Sequence, residues 1–137
     1  MKKIISSFLL SLFCCDAFAT PVMVTRIVDG DTFKATVLLA DGIEVMSVGV
    51  RLRNVDTPEI HGQCDDEIAR AEQAKLRLAE LIPVGSVIEI SNVKNDKYPG
   101  RIDANVFDEN NHDVGLILIK EGLGRPYSGG KRKSWCD

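Results

Sequence analysis

The sequence predicts an α+β fold that is mainly β: a five-stranded OB-type barrel with two or three helices. Three observations predict it. Short runs rich in β-branched and apolar residues alternate at period two. The apolar period changes to helical spacing after the third of these runs and again near the end of the chain. The resulting order, three strands, helix, two strands, helix, is the layout of an OB-type barrel.

Val22 to Val28 reads as the first strand, stopped at Asp29-Gly30, and Thr32 to Leu39 as the second. Asp41-Gly42 between Leu39 and Ile43 is a hairpin signal. Ile43 to Val55 reads as one long strand bent at Gly49, with Val48, Val50 and Leu52 on one face and Gly49, Arg51 and Arg53 on the other. Thr57-Pro58 ends it, because proline cannot donate to a ladder and keeps Thr57 out of the helical region. From Asp65 to Ile82, Ile68, Ala71, Ala74, Leu78 and Leu81 recur at helical spacing, and Asp65, Asp66 and Glu67 sit in the first turn, where the helix dipole favours acids. Pro83 and Gly85 stop this helix. Val87 to Val93 and Arg101 to Phe107 read as two further strands, and Asp113 to Glu121 as a short helix closed by Gly122. The tail from Arg125 is glycine-rich and basic, and Lys131-Arg132-Lys133 reads as a solvated segment or a contact for a polyanion.

Residues 1–19 are expected to be a secretory signal peptide and 20–137 a single domain. Met1-Lys2-Lys3 is a basic start, Ile4 to Cys15 is almost wholly apolar, and Ala17-Phe18-Ala19 places small residues where a signal peptidase reads. The apolar run, about 12 residues, is short of the roughly 20 that a spanning helix needs. The expectation is therefore an exported, periplasmic or secreted, monomeric protein with no stable membrane association after cleavage. Two of the four cysteines, Cys64 and Cys136, would remain. In an oxidising compartment such a pair reads as a disulfide, with two free thiols as the alternative.

The formal net charge is -3, and losing Lys2 and Lys3 makes the mature chain more negative. Non-specific coating proteins of nucleic acid are usually basic. The balance argues against that class, and leaves an enzyme that must release its product.

Two acidic clusters stand at strand ends: Asp29-Gly-Asp31-Thr and Asp56-Thr-Pro-Glu59. Hard divalent cations take oxygen ligands, and Asp31 and Asp56 can supply carboxylates and Thr57 a carbonyl. Asp29-Gly30 also reads simply as a turn, Arg51 and Arg53 as a solvated sheet face, and Arg101 as a strand-end charge. Together, however, carboxylates and guanidiniums suit phosphoryl chemistry, because the arginine fork matches phosphate oxygens and a nearby carboxylate can orient or deprotonate a water. His61 and His112 read as surface residues.

Three segments, Ile27-Val-Asp-Gly-Asp-Thr-Phe33, Val50-Arg-Leu-Arg-Asn-Val-Asp-Thr-Pro-Glu59 and Asp96-Lys-Tyr-Pro-Gly-Arg101, resemble the signature segments of the staphylococcal nuclease (thermonuclease) family. The ending Arg125-Pro-Tyr-Ser-Gly-Gly-Lys-Arg-Lys-Ser-Trp-Cys136 resembles its exported bacterial branch. The resemblance implies a calcium-dependent endonuclease, a phosphodiesterase that hydrolyses DNA and RNA and leaves 3′-phosphate ends. It implies calcium held by Asp31, Asp56 and the Thr57 carbonyl, a water engaged by Glu59, and a scissile phosphate gripped by Arg51 and Arg101. Tyr98 falls near a tyrosine that borders the nucleotide pocket, and Pro99 lengthens the turn that carries it. The alternative function is a non-catalytic OB-fold module binding single-stranded nucleic acid through aromatics and positive charge. Phe33, Tyr98, Phe107, Tyr127 and Trp135 are the aromatics it would have beyond the leader.

Overall fold

The structure, a computed structural model, describes residues 19–38 and 43–136. The expected leader up to residue 18 and the Asp41-Gly42 hairpin lie outside the described residues. Five strands, β1 (Thr20–Ile27), β2 (Thr32–Leu38), β3 (Glu44–Leu52), β5 (Val87–Asn95) and β6 (Arg101–Phe107), form a closed barrel in the order β1-β2-β3-β6-β5. Neighbours are antiparallel except β3 and β6, whose parallel pairing closes the barrel. Two short strands, β4 (Val55–Asp56) and β7 (Arg125–Pro126), pair outside it. The expected mainly-β OB-type barrel with two helices is what the chain adopts. No helix among the described residues is long and apolar enough to cross a membrane.

Alternation builds the core. Val48, Val50 and Leu52 of β3 point inward to meet Val22, Val24, Phe33, Ala35, Ile88, Ile90, Ala104 and Val106 from the other strands. Each large side chain buried there contributes about 1.5–3 kcal/mol. Helix α1 (Asp65–Leu81) adds Leu78, and its C-cap Ile82 packs with it. Helix α2 (Val114–Lys120) adds Val114 and Leu118. Asp113 caps α2 by accepting from the Leu116 N–H at 3.1 Å.

Two features depart from the pattern reading, and both position the site. The long third strand is broken not at Gly49 but after Leu52. Arg53 and Asn54 form a turn, with Asn54 in the left-handed region at φ 65°, a conformation asparagine tolerates. Beyond it, β4 leaves the barrel to pair with β7. Gly49 instead stays in the ladder beside Arg101, where an added Cβ would lie 3.4 Å from the Arg101 Cγ. Its bareness lets the Arg101 side chain lie across β3.

The second departure is on α1. Ile68 belongs to the apolar repeat but is 38% exposed, while Glu67 is buried. The Glu67 carboxylate accepts from the Glu59 N–H at 3.3 Å and the Gln63 N–H at 3.0 Å, tying down the loop between β4 and α1. Those two backbone donors are why an acid is tolerated at a buried helical position.

Candidate active site

The β1–β2 turn presents Asp31. Its N–H donates to Asp29 Oδ1 at 3.0 Å, its carbonyl accepts from the Leu52 N–H at 2.8 Å, and its carboxylate accepts from Thr32 Oγ1 at 3.0 Å and, less closely, from the Thr57 N–H at 3.4 Å. The turn therefore bridges the end of β3 and the start of the β4–α1 loop. Gly30 makes that approach possible: a Cβ there would stand 2.6 Å from Ala74 Cβ and 2.9 Å from Thr57 Oγ1. Gly30→Ala should cost about 1–3 kcal/mol, the usual range for overpacking. Thermal denaturation checks this, and an unchanged melting temperature would remove the packing argument.

Arg51 leaves β3 toward Asp31, at 3.7 Å from its carboxylate, and donates to the carbonyls of Leu52 at 3.4 Å and Val55 at 3.3 Å. Its guanidinium lies 5.8 Å from the Tyr127 ring. Arg101 opens β6 after a turn whose Gly100 has φ 77°. It makes a two-point contact with Asp96, at 2.8 and 3.2 Å, and sits 4.6 Å from the Tyr98 ring. Tyr98 is half exposed, and its N–H donates to Asp96 Oδ1 at 2.9 Å. One cleft of about 560 Å³ is lined by Asp31, Arg51, Glu59, Tyr98, Arg101 and Tyr127, among others.

Three carboxyls around the cleft are perturbed. Burial, then the charge of Asp31, pushes Asp29 up to about 7. Burial works to raise Asp96 too, but hydrogen bonds from Arg101 and the Tyr98 N–H outweigh it and hold Asp96 at about 2. Burial, then the adjacent Asp96, raises Asp103 from its ordinary value. For Asp29 the sign is clear. A raised carboxyl favours the folded state fully below its unfolded value near 3.8, and that contribution disappears as pH rises through about 7. A neutral asparagine side chain in its place would carry no such penalty. Asp29→Asn should therefore raise the melting temperature by several degrees at pH 8 in calcium-free buffer and change it little at pH 4. Equal effects at both pH values would contradict the assignment.

The second acidic cluster lies differently. Asp56 is 1% exposed and sits beneath the C-terminal tail. Its Oδ1 accepts from Arg132 Nε at 2.7 Å; its Oδ2 accepts from Trp135 Nε1 at 3.2 Å and lies 3.5 Å from Arg125 Nε. The same Arg132 guanidinium donates to the Thr57 carbonyl at 3.2 Å and to Glu59, whose side chain is 46% exposed. Arg132 is exposed at the surface, yet its guanidinium is ion-paired to the barrel and not free in solvent. A buried carboxylate needs a partner charge, and the tail supplies it. Cys64 and Cys136 are joined by a disulfide with Cα atoms 6.1 Å apart, which holds the tail against the start of α1. Lys131 and Lys133 remain exposed, as do His61 and His112.

The structure thus gathers Asp31, Arg51, Glu59, Arg101 and Tyr98 on one cleft, with Thr57 reached through its N–H and carbonyl. Asp56 adjoins them but faces the tail. Sequence reasoning does not single out Arg125, Arg132, Trp135, Asp96 or Asp103 as site residues. One signal could have found the tail members: a bond from Cys136 to Cys64 brings Arg132 within reach of Glu59. Among the described residues, no group of three or more His, Cys, Asp or Glu side chains forms a metal cluster. The candidate cation donors are two carboxylates, a backbone carbonyl and the nearby Glu59.

The family model described as "Staphylococcal nuclease homologue" matches residues 49–134. The chain belongs to this family. A comparison with curated proteins finds no match. The matched segment contains Arg51, Asp56, Glu59, Arg101 and the tail through Ser134, while Asp31 precedes it. Membership in the staphylococcal nuclease homologue family makes nucleic acid the partner, as substrate or as ligand.

Proposed function

We propose that this chain is an exported, calcium-dependent endonuclease that hydrolyses DNA and RNA phosphodiester bonds and leaves 3′-phosphate ends. The observation that carries the reading is the convergence of Arg51, Arg101, Asp31 and Glu59 on one cleft in a chain of this family. Two guanidiniums from neighbouring strands share with a proton-accepting carboxylate a space large enough for a phosphodiester.

The oxygens suit a hard cation. Asp56, the Thr57 carbonyl and Glu59 already converge on a single guanidinium, so they can converge on a positive charge, and Asp31 is linked to them through the Thr57 N–H. Buried Thr57 Oγ1 has no hydrogen-bond partner among the described residues. Asp31, Asp56 and the Thr57 carbonyl are the residues that would hold calcium. When bound, calcium supplies positive charge beside the phosphoryl oxygens.

The chain's own groups perform the rest. Arg51 and Arg101 bind the non-bridging oxygens, and their fixed charge is worth most once negative charge builds on the pentacovalent phosphorus. Glu59 accepts a hydrogen bond from a water and takes its proton as the oxygen attacks. The phosphorus–O5′ bond breaks, the departing 5′-oxygen takes a proton from solvent in the open cleft, and the phosphate stays on the 3′ side. Tyr98 offers a ring at the cleft edge against which a base can stack. The disulfide and the signal-peptide pattern support an oxidising, exported location.

The test is purified mature protein on single-stranded DNA, duplex DNA and RNA, with calcium, magnesium or chelator. Cleavage with calcium that stops on chelation is expected. Tight binding without cleavage would favour the non-catalytic module, and undiminished hydrolysis after exhaustive chelation would remove the metal role.

A further inference from the structure

We propose that Arg132 is an internal cation that competes with calcium for the oxygens of Asp56, Thr57 and Glu59, and that the Cys64–Cys136 disulfide keeps it there. The inference rests on the metal reading above.

Three observations lead to it. First, the Arg132 guanidinium contacts both proposed calcium donors of the β4–α1 loop, the Asp56 carboxylate and the Thr57 carbonyl, and also reaches Glu59. A guanidinium and a divalent cation cannot both take the same oxygen lone pairs at bonding distance. A guanidinium keeps its charge at every working pH, so the competition is between two cations.

Second, the tail is built to present this arginine. Arg125 stacks on Trp135, 3.8 Å from its ring, and donates to the carbonyls of Lys133 and Ser134, folding the tail back over β7. Tyr127 OH donates to the Gly130 carbonyl at 2.6 Å, tightening the turn before Arg132.

Third, the disulfide fastens the far end. Cys136 lies four residues after Arg132, and Cys64 is the N-cap of α1, whose Glu67 anchors the loop carrying Glu59. Such a tether makes the arginine an intramolecular ligand at high effective concentration, so calcium must displace it. With the disulfide reduced, that concentration falls. Calcium loading would then be tighter in a reducing medium than in an oxidising one.

The experiment is a calcium titration of the mature protein without nucleic acid, followed by calorimetry and by the emission of Trp135, the single tryptophan. Trp135 donates to Asp56, so displacement of the tail changes its surroundings. Arg132→Gln should bind calcium about 10-fold more tightly than wild type, the gain expected if Arg132 leaves the oxygens free in only about a tenth of wild-type molecules, since apparent affinity falls with the competent fraction. The Cys64→Ser/Cys136→Ser protein should shift in the same direction, which keeps the test open if Arg132→Gln folds poorly. Lys133→Gln removes the same charge one residue away and should leave the affinity unchanged. Equal calcium affinity in wild type, Arg132→Gln and the disulfide-free protein would overturn the competition while leaving the metal site standing. An equal gain in Lys133→Gln would overturn it in favour of general charge. No calcium binding by any of the proteins would overturn the metal reading itself, and the inference with it.

Discussion

Arg51→Ala and Arg101→Ala should each lower kcat on DNA by about 10³- to 10⁵-fold, the loss typical of an arginine that meets a phosphate in the transition state. The two side chains are held by different means. Arg51 is fixed by two carbonyls of its own chain, those of Leu52 and Val55, and by Asp31. Arg101 is fixed by Asp96 and the Tyr98 ring. Neither is part of the core, so the folded state should survive both changes. Lysine at either position keeps the charge but not the planar fork, and should recover only a small part of the rate. Full activity of both alanine variants, with melting temperatures near wild type, would contradict their placement on the scissile phosphate.

Glu59→Gln should lower kcat by about 10²- to 10⁴-fold, the range for removing a positioned general base. Glutamine has the shape of glutamate and can still accept a hydrogen bond from Arg132, so the loop geometry should persist. Its backbone N–H remains tied to Glu67, which a change at the side chain does not touch. The loss should fall on kcat and leave KM little altered, because a group that acts on the water does not grip the ground-state substrate. A kcat within a few-fold of wild type would assign Glu59 to ion pairing with Arg132 rather than to the water.

The barrel is legible in the sequence because it rests on local pattern. Val48, Val50 and Leu52 alternate with Gly49 and Arg51, and a single buried face is enough to set that register. The α1 stripe is legible for the same reason, but its first turn is not. Glu67 carries the mark of a dipole-complementing surface acid, and only the tertiary placement of two N–H donors turns it inward. The break at Asn54 is hidden because Val55 and Asp56 continue a strand-like run. Their partner, Arg125–Pro126, lies far along the chain, and no local signal announces a long-range pairing. Arg51, Glu59 and Arg101 can be singled out from the clustering of carboxylates and guanidiniums, and their roles come from the family resemblance. Arg132 cannot be singled out from local pattern, and only the Cys64–Cys136 pairing points to it. Between two lysines and after two glycines it reads as solvated, and its partners are far away in sequence.

In the proposed reaction a water activated at Glu59 attacks phosphorus while Arg51 and Arg101 hold the phosphate, with the 5′-oxygen as the leaving group. The most direct measurement is cleavage of a DNA oligonucleotide in water labelled with heavy oxygen, in the presence of calcium, followed by mass analysis of the product ends. The expected products are 3′-phosphate ends that carry the label and unlabelled 5′-hydroxyl ends. Label in 5′-phosphate ends, opposite unlabelled 3′-hydroxyls, would contradict this reaction.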